Sequence, residues 1–312
     1  MAQLDWYIRA NLKPRHLQLL VALDDLRHLG RVASSLNVSQ PAVSLALGEL
    51  EKGLGLKLFE RTPRGVVPNS NGECLIRHAR VVLSTLAQAR DELHALQTGV
   101  AGKISVGALP AVTPSLIPQA LLLLKQCAPH TRVVIQEGPM ETLLPELRRN
   151  SLDMVVGRLA RSDLSGDLLE EKLIEGAIVL VVARRHPLAA RKRLRWNDLA
   201  GYPWVLPPVG SLQREPLENT LQQNGCALPD NFIETLSVHV VTGYLQSSDA
   251  IGSLSRIAAH HYIQAGVLAP LPLPLPDPQR PIGMMWNRHK PESPAVETFK
   301  ECLRQVTQTT LA

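Results

Sequence analysis

The sequence predicts two structural classes in one chain: an all-α N-terminal segment and a larger α/β remainder. Three observations predict this. Residues 14–52 carry short stretches of apolar residues at helical spacing, punctuated by Gly30, Asn37 and Gly53. Residues 73–97 contain neither Gly nor Pro and place apolar side chains at heptad spacing. From Ile104 onward, short runs rich in Val and Ile alternate with longer amphipathic stretches, the pattern of a parallel sheet covered by helices.

Pro14 suits the first turn of a helix over residues 14–25. Gly30 interrupts it, and residues 31–37 form a second, short helix with Val32, Ala33 and Leu36 turned inward. Asn37-Val38-Ser39 reads as a tight turn. A third helix runs from Gln40 to about Lys52, with Ser39 as its N-cap and Pro41 in its first turn, where a missing N–H costs no helical bond. Gly53 and Gly55 end it. Residues 57–61 and 66–68 are short strands joined through Thr62-Pro63-Arg64-Gly65, a hairpin with a cationic tip.

One long helix follows from Glu73 to about Gln97. Ala79, Val82, Leu86, Ala89, Leu93 and Leu96 form a heptad seam, while Arg80, Gln88, Arg90, Asp91 and Glu92 occupy the other face. The seam pairs with a second helix or packs on its own domain; the charged opposite face favours dimerisation. Beyond a linker at residues 98–102, strands are expected at 104–109, 132–137, 154–159, 171–174, 177–183, 204–206, 232–235, 251–254 and 282–286. Helices are expected at 115–127, 141–149, 212–223, 238–245, 257–263 and 295–305. The Pro- and Leu-alternating stretch 270–278 is extended and stiff, a crossover between two lobes. The domain reading is residues 1–72, a linker helix 73–98 and a third domain 99–312. Its lobes are residues 103–162 with 270–308, and residues 163–269.

Composition bounds the chemistry. The 312 residues are 45% hydrophobic and 20% charged, an ordinary globular balance, with no apolar run long enough for a membrane span and no secretory leader pattern, so a cytoplasmic chain is expected. Cys74, Cys127, Cys226 and Cys302 are far apart and lack metal-binding spacing, so no metal or cofactor is expected. They read as reduced thiols; a redox sensor would require the fold to bring two of them together. No Gly-rich phosphate loop, Gly-x-Ser-x-Gly or His-Glu-x-x-His motif points to an enzyme, and adjacent His260 and His261 cannot share one helix face. A net charge of +5 is mild, but residues 1–72 hold nine Lys/Arg against six Asp/Glu, which suits a few well-placed phosphate contacts.

The helix-turn-helix carries the functional signal. Its second helix must present short polar side chains from its first turn to base edges in the major groove. Ser39, Gln40, Pro41 and Ser44 fit: Gln40 can pair with adenine through two hydrogen bonds, the serines reach phosphate or base, and Pro41 and Ala42 can touch a thymine methyl. The set Ala33, Leu36, Ser39-Gln40-Pro41-Ala42-Val43-Ser44, Leu50-Glu51, Leu54-Gly55, Leu58-Phe59, Arg61, Arg64 and Gly72 resembles the N-terminal signature of LysR-type transcription regulators. Residues 106–110 and 155–159 further resemble the branch containing regulators of a galactose-binding protein and of protocatechuate catabolism. The resemblance implies double-stranded DNA as partner, with Gln40, Pro41 and Ser44 on the recognition helix and Arg64 at the wing in contact with it. It also implies a homodimer or homotetramer, with RNA polymerase as a candidate partner. Two departures stand out: Leu45 replaces a common Arg, and Pro68-Asn69 replaces a common Leu-Thr. Arg61 reads as a DNA contact or, better, as a structural arginine paired with a core carboxylate.

For residues 99–312 the resemblance implies a two-lobed α/β domain like the periplasmic binding proteins, with a small-molecule effector between the lobes. Such pockets lie beyond strand C-termini, at helix N-termini. That points to Ala111, Val112 and Thr113, to Arg158, to Pro208 and Ser211, and to His239. Arg158 clamps a carboxylate or forms an interdomain salt bridge; His239 is a pH-sensitive donor or a surface histidine. An organic acid, aromatic or aliphatic, is the expected effector, with a sugar as the next choice. A solute-binding protein or enzyme on the same scaffold is the competing reading.

Overall fold

The computed structural model describes residues 2–63, 65–98, 102–159, 166–211, 213–275 and 279–310. The chain divides into two compact units, one comprising Met1–Thr98 with His289–Pro291 and the other Gly99–Arg288 with Glu292–Ala312.

The first unit runs α1 (Ala2–Ala10), α2 (Pro14–Leu26), α3 (Leu29–Ser35), α4 (Gln40–Leu54), β1 (Phe59–Thr62), β2 (Gly65–Pro68) and α5 (Ser70–Thr98). Its core joins Leu20 and Leu23 of α2, Val32 and Ala33 of α3, Val43, Leu50 and Leu54 of α4, and Ile76 of α5. α1 has no counterpart in the sequence reading. It packs on α4, and its reason lies across the fold: a Cβ at Gly53 would stand 2.0 Å from the Tyr7 ring. Gly53 therefore does not end α4; it lets Tyr7 in, and Gly55, at φ 68°, makes the left-handed cap. Gly30 likewise lies inside α3, which starts at Leu29 because the His28 ring accepts the Gly30 N–H.

α5 starts three residues earlier than expected. The Asn69 side-chain oxygen accepts the N–H groups of Asn71 and Gly72, and its amide donates to the Lys57 carbonyl at 3.0 Å. Asn69 is thus an N-cap, and the departure at this position supplies its own hydrogen bonding. Arg80 is not part of an outward polar face. It donates to Asp24 at 2.8 Å and to Asp25 at 2.6 Å, tying α5 to α2.

The second unit contains β3 (Lys103–Ala108), α6 (Leu116–Cys127), β4 (Arg132–Glu137), α7 (Met140–Arg148), β5 (Met154–Arg158), β6 (Leu168–Gly176), β7 (Ile178–Ala183), β8 (Trp204–Leu206), α8 (Arg214–Gln223), β9 (Phe232–Glu234), α9 (Val238–Ser247), β10 (Ile251–Ser255), α10 (Arg256–Gln264), β11 (Leu268–Pro270), β12 (Gln279–Asn287) and α11 (Pro294–Thr310). It holds two five-stranded sheets, ordered β4-β3-β5-β12-β6 and β11-β7-β10-β8-β9. Each is mixed: β3, β4 and β5 are parallel but β12 runs antiparallel to β5, and β8, β9 and β10 are parallel but β7 runs antiparallel to β10.

One lobe boundary needs correction. Residues 168–176 belong to the first lobe, because β6 pairs with β12 along its length, from Leu168↔Asn287 to Gly176↔Gln279. The chain changes lobes at Ala177, between β6 and β7. It returns between β11 and β12, through the Pro/Leu stretch expected to cross over; residues 276–278 of it lie outside the described set.

Candidate nucleic-acid interface and interlobe cavity

The α3–α4 corner is fixed by local bonds. Asn37 adopts φ 54°, the Val38 N–H reaches the Ala33 carbonyl at 2.9 Å, and the Ser39 hydroxyl caps α4 by accepting from Ala42 N at 3.4 Å. Burial of Val43, Leu50 and Leu54 fixes which face of α4 looks inward. Ser39, Gln40 and Pro41 are exposed at the start of the helix and Ser44 is half-buried one turn on, so the helix presents a short polar ridge. Leu45 is also exposed.

Arg61 is not the structural arginine expected. The core carboxylate is Glu51, and its oxygens accept from Leu58 N at 2.9 Å, Phe59 N at 3.2 Å and Lys57 Nζ at 2.6 Å. Arg61 is exposed on β1 and donates to the Ser44 hydroxyl at 3.3 Å, which sets a guanidinium on the ridge. The two residues are 17 positions apart, so no local pattern announces the contact. Arg64 lies outside the described residues. The hairpin carrying it is seated by Val66 N on the Arg27 carbonyl at 2.9 Å, and a Cβ at Gly65, at φ 132°, would stand 2.0 Å from that same carbonyl oxygen.

Along α5, Val82, Leu86 and Leu93 are 45%, 50% and 61% exposed, and Ala89 is exposed too. Ala79 departs from this stripe: only 1% exposed, it packs into the core of its own unit. The Leu96 side chain lies outside the described residues.

In the second unit a cavity of about 350 Å³ opens between the two sheets' C-terminal loops. The first lobe contributes Leu109, Pro110, Ala111, Met140, Glu141 and Arg158; the second contributes Pro207, Ser211, Thr235, Val238, Ser253 and Ser255. Met140, Val238 and Ser255 stand at the N-terminal ends of α7, α9 and α10, whose dipoles favour negative charge. Of the expected effector residues, the fold brings Ala111, Arg158 and Ser211 together on this wall. The others lie elsewhere. Val112 is fully buried in the first lobe's core, and Thr113 donates to the Pro110 carbonyl at 3.0 Å, closing its own turn. Pro207 lines the wall where Pro208 does not. Val238 takes the inward position at the start of α9, so His239, the next residue around the helix, is exposed.

Three polar atoms among these wall residues are buried without a hydrogen-bond partner: Arg158 Nη2, Ser211 Oγ and Ser253 Oγ. Arg158 Nη1 donates to the Arg280 carbonyl at 3.4 Å, and among the described residues no carboxylate pairs with this guanidinium. Burial, and secondarily the Arg280 guanidinium, pull its pKa down from the ordinary arginine value. An unpaired, partly desolvated cation is costly, and an anion in the cavity would offset that cost. Arg214, which the sequence reading passed over, is a positioning residue. It is buried, and it donates to the Pro207 carbonyl and to Glu234, each at 2.8 Å, and to Glu218 at 2.5 Å, holding the loop that carries Ser211. Its signal in sequence was only a helix-start Arg with Glu218 four residues on.

Among the described residues no three His, Cys, Asp or Glu side chains cluster to hold a metal, and no helix is long and apolar enough to cross a membrane. Residues 14–73 match the bacterial regulatory helix-turn-helix protein model of the lysR family, and residues 97–308 match the LysR substrate binding domain. The chain is 33% identical to the HTH-type transcriptional regulator GbpR of Azospirillum brasilense, over 98% of this chain and 90% of that protein. It is 36% identical to the regulator GalR of Pseudomonas putida, over 94% and 73%, and 32% identical to PcaQ of Agrobacterium fabrum, over 94% of each. Its fold is similar to that of a full-length OxyR variant from Pseudomonas aeruginosa, with a TM-score of 0.65 at 25% identity, covering 94% of this chain and 95% of that one. It is also similar to the fold of CbnR crystallised with its target DNA, with a TM-score of 0.57 at 18% identity, covering 95% and 100%.

Proposed function

Because the chain belongs to the LysR family of bacterial transcription regulators, we propose that it switches transcription in response to an organic acid held on Arg158 in the interlobe cavity. It is a DNA-binding regulator with an effector-binding domain, not an enzyme. The observation that carries the ligand class is the buried Arg158 Nη2 without a partner, flanked in the same cavity by the equally unpartnered Ser211 and Ser253 hydroxyls. A carboxylate accepts from all three. The apolar wall of Leu109, Met140 and Val238 accommodates its carbon skeleton, and Glu141 can accept from a ligand hydroxyl.

On DNA, Ser39, Gln40, Pro41 and Ser44 meet the major groove, Arg61 acts beside Ser44, and Arg64 reaches from the wing. Two copies pair through Val82, Leu86, Ala89, Leu93 and Leu96, so that two recognition helices read a two-fold site; such dimers assemble further into a tetramer. The likeness to GbpR and PcaQ over nearly the whole chain supports a place in their branch. Action on DNA sets it in the cytoplasm, with RNA polymerase as the downstream partner.

The test is a thermal-shift screen of the full-length chain against organic acids and sugars. A ligand at 100 times its Kd stabilises the domain that binds it by about 2.7 kcal/mol. The expected result is stabilisation by a carboxylate that disappears in Arg158→Ala. A neutral sugar that stabilises wild type and Arg158→Ala equally would overturn the organic-acid assignment.

A further inference from the structure

Two of the four cysteines, remote in sequence, are neighbours in the fold. Cys302 lies on α11, buried in the apolar core of the first lobe with Leu124, Leu303 and Val306. α6 packs along α11, and Cys127 is its last residue, three positions beyond Leu124 and so on the same helix face. The Cys127 thiol donates to the Leu124 carbonyl at 3.4 Å, and the residue is exposed to solvent. Burial first, and then the nearby Cys127 thiol, push the Cys302 pKa up to about 11. Cys74, on α5 of the other unit, and Cys226, beside Trp196 in the second lobe, belong to other surroundings.

We propose that Cys127 and Cys302 form an oxidisable dithiol that a peroxide closes to an intrachain disulfide, fastening the end of α6 to α11. Exposure assigns the roles. Cys127 meets the oxidant; Cys302, shielded and seldom ionised, is a poor first nucleophile and acts second. The Cys127 thiolate attacks one peroxide oxygen, the S–O bond forms as the O–O bond breaks, and the departing hydroxide takes up a proton, leaving a sulfenic acid and one water. The Cys302 thiolate then attacks the Cys127 sulfur. The S–S bond forms, the S–O bond breaks, and hydroxide leaves and is protonated to a second water. The two thiols together lose two electrons and the peroxide gains them. Closing the bond brings the sulfurs to about 2.05 Å and requires the two Cα atoms to stand no more than about 7 Å apart. Neither cysteine lines the interlobe cavity, so oxidation here is separable from effector binding.

The experiment uses the full-length chain, reduced and then treated with hydrogen peroxide at micromolar concentration. Remaining thiols are alkylated with a maleimide in denaturant, and the protein is mapped by mass spectrometry without reduction. The expected result is loss of two of the four alkylatable thiols, a peptide pair joined through Cys127 and Cys302, and reversal by dithiothreitol. Cys127→Ser, an exposed change that leaves the core intact, should abolish the joined pair, whereas Cys226→Ser should keep it. The proposal is overturned if Cys127 proceeds to sulfinic acid while Cys302 stays alkylatable, if Cys127 instead joins two chains, or if all four thiols survive.

Discussion

Removing the Glu51 carboxylate should loosen the wing more than any surface change on the same helix. Glu51 is only 6% exposed, and one of its oxygens accepts the N–H groups of both Leu58 and Phe59 at the start of β1. Lys57, on the other oxygen, is 80% exposed at its side chain, so that ion pair contributes little, at most about 1 kcal/mol. The amides decide the magnitude. Glu51→Ala leaves two buried donors unpaired at about 1–3 kcal/mol each, so the local cost is roughly 3 kcal/mol after partial hydration. In amide hydrogen exchange that corresponds to faster exchange at Leu58 and Phe59 by on the order of a hundredfold. Glu51→Gln keeps one acceptor and should fall between.

Acid should act in the same direction. Burial works to raise the Glu51 pKa, but the Lys57 hydrogen bond and the two amide donors outweigh it and hold it below the ordinary carboxylate value. A depressed folded-state pKa contributes stability that is complete above the unfolded-state value and is lost as pH falls through the folded-state one. The wing amides of wild type should therefore lose protection in acid along a limb that Glu51→Gln lacks. Exchange at Leu58 and Phe59 within threefold of wild type in Glu51→Ala would refute this account of the wing.

Leu86→Asp should place a charge in the seam of α5 and shift the sedimentation profile of the chain towards monomer, with a dimer Kd at least a hundredfold weaker, from about 3 kcal/mol of lost burial and added desolvation; an unchanged profile would remove this helix from the interface. Gly65→Ala must move either the hairpin or the end of α2, since its Cβ meets the Arg27 carbonyl at 2.0 Å, and should weaken binding to DNA by about 1–3 kcal/mol; wild-type affinity would mean the wing contributes no contact. Gln40→Ala should relax preference at one base position by about 1–3 kcal/mol, and an equal loss on random DNA would instead make Gln40 a phosphate contact.

Local chemistry was legible. Ser39 ahead of Pro41 marked the start of α4, and the alternation after Ile104 marked the strands, because caps and periodicity act within a few residues. What escaped was set by partners far along the chain. Gly53 looked like a helix terminus until Tyr7 arrived beside it, and Arg61 looked structural until Lys57 and two amides had already satisfied Glu51. β6 joined the first lobe only because β12, more than a hundred residues later, supplies its hydrogen-bonding edge. In the cavity, Arg158 was readable as a charge at a strand end, but the choice of Val238 over His239 depended on the rotation of α9 against its own sheet, which a short helix with apolar residues on several sides does not declare.

The return of the chain from β11 to β12 also orders events during synthesis. The second lobe, from Ile178 to Pro270, is one continuous insert in the first, whose sheet gains its β12 strand and whose core gains Phe299 and Leu303 only from the last segment made. On the ribosome the helix-turn-helix emerges first and the inserted lobe next, while β3, β4 and β5 wait with an unpaired edge at β5. A chain stopped before residue 279 would therefore carry a complete DNA reader and an open sheet edge, a state prone to pairing with other chains. The wall bearing Arg158 takes its final form only when β12 pairs beside β5, so the ability to sense arrives after the ability to bind DNA.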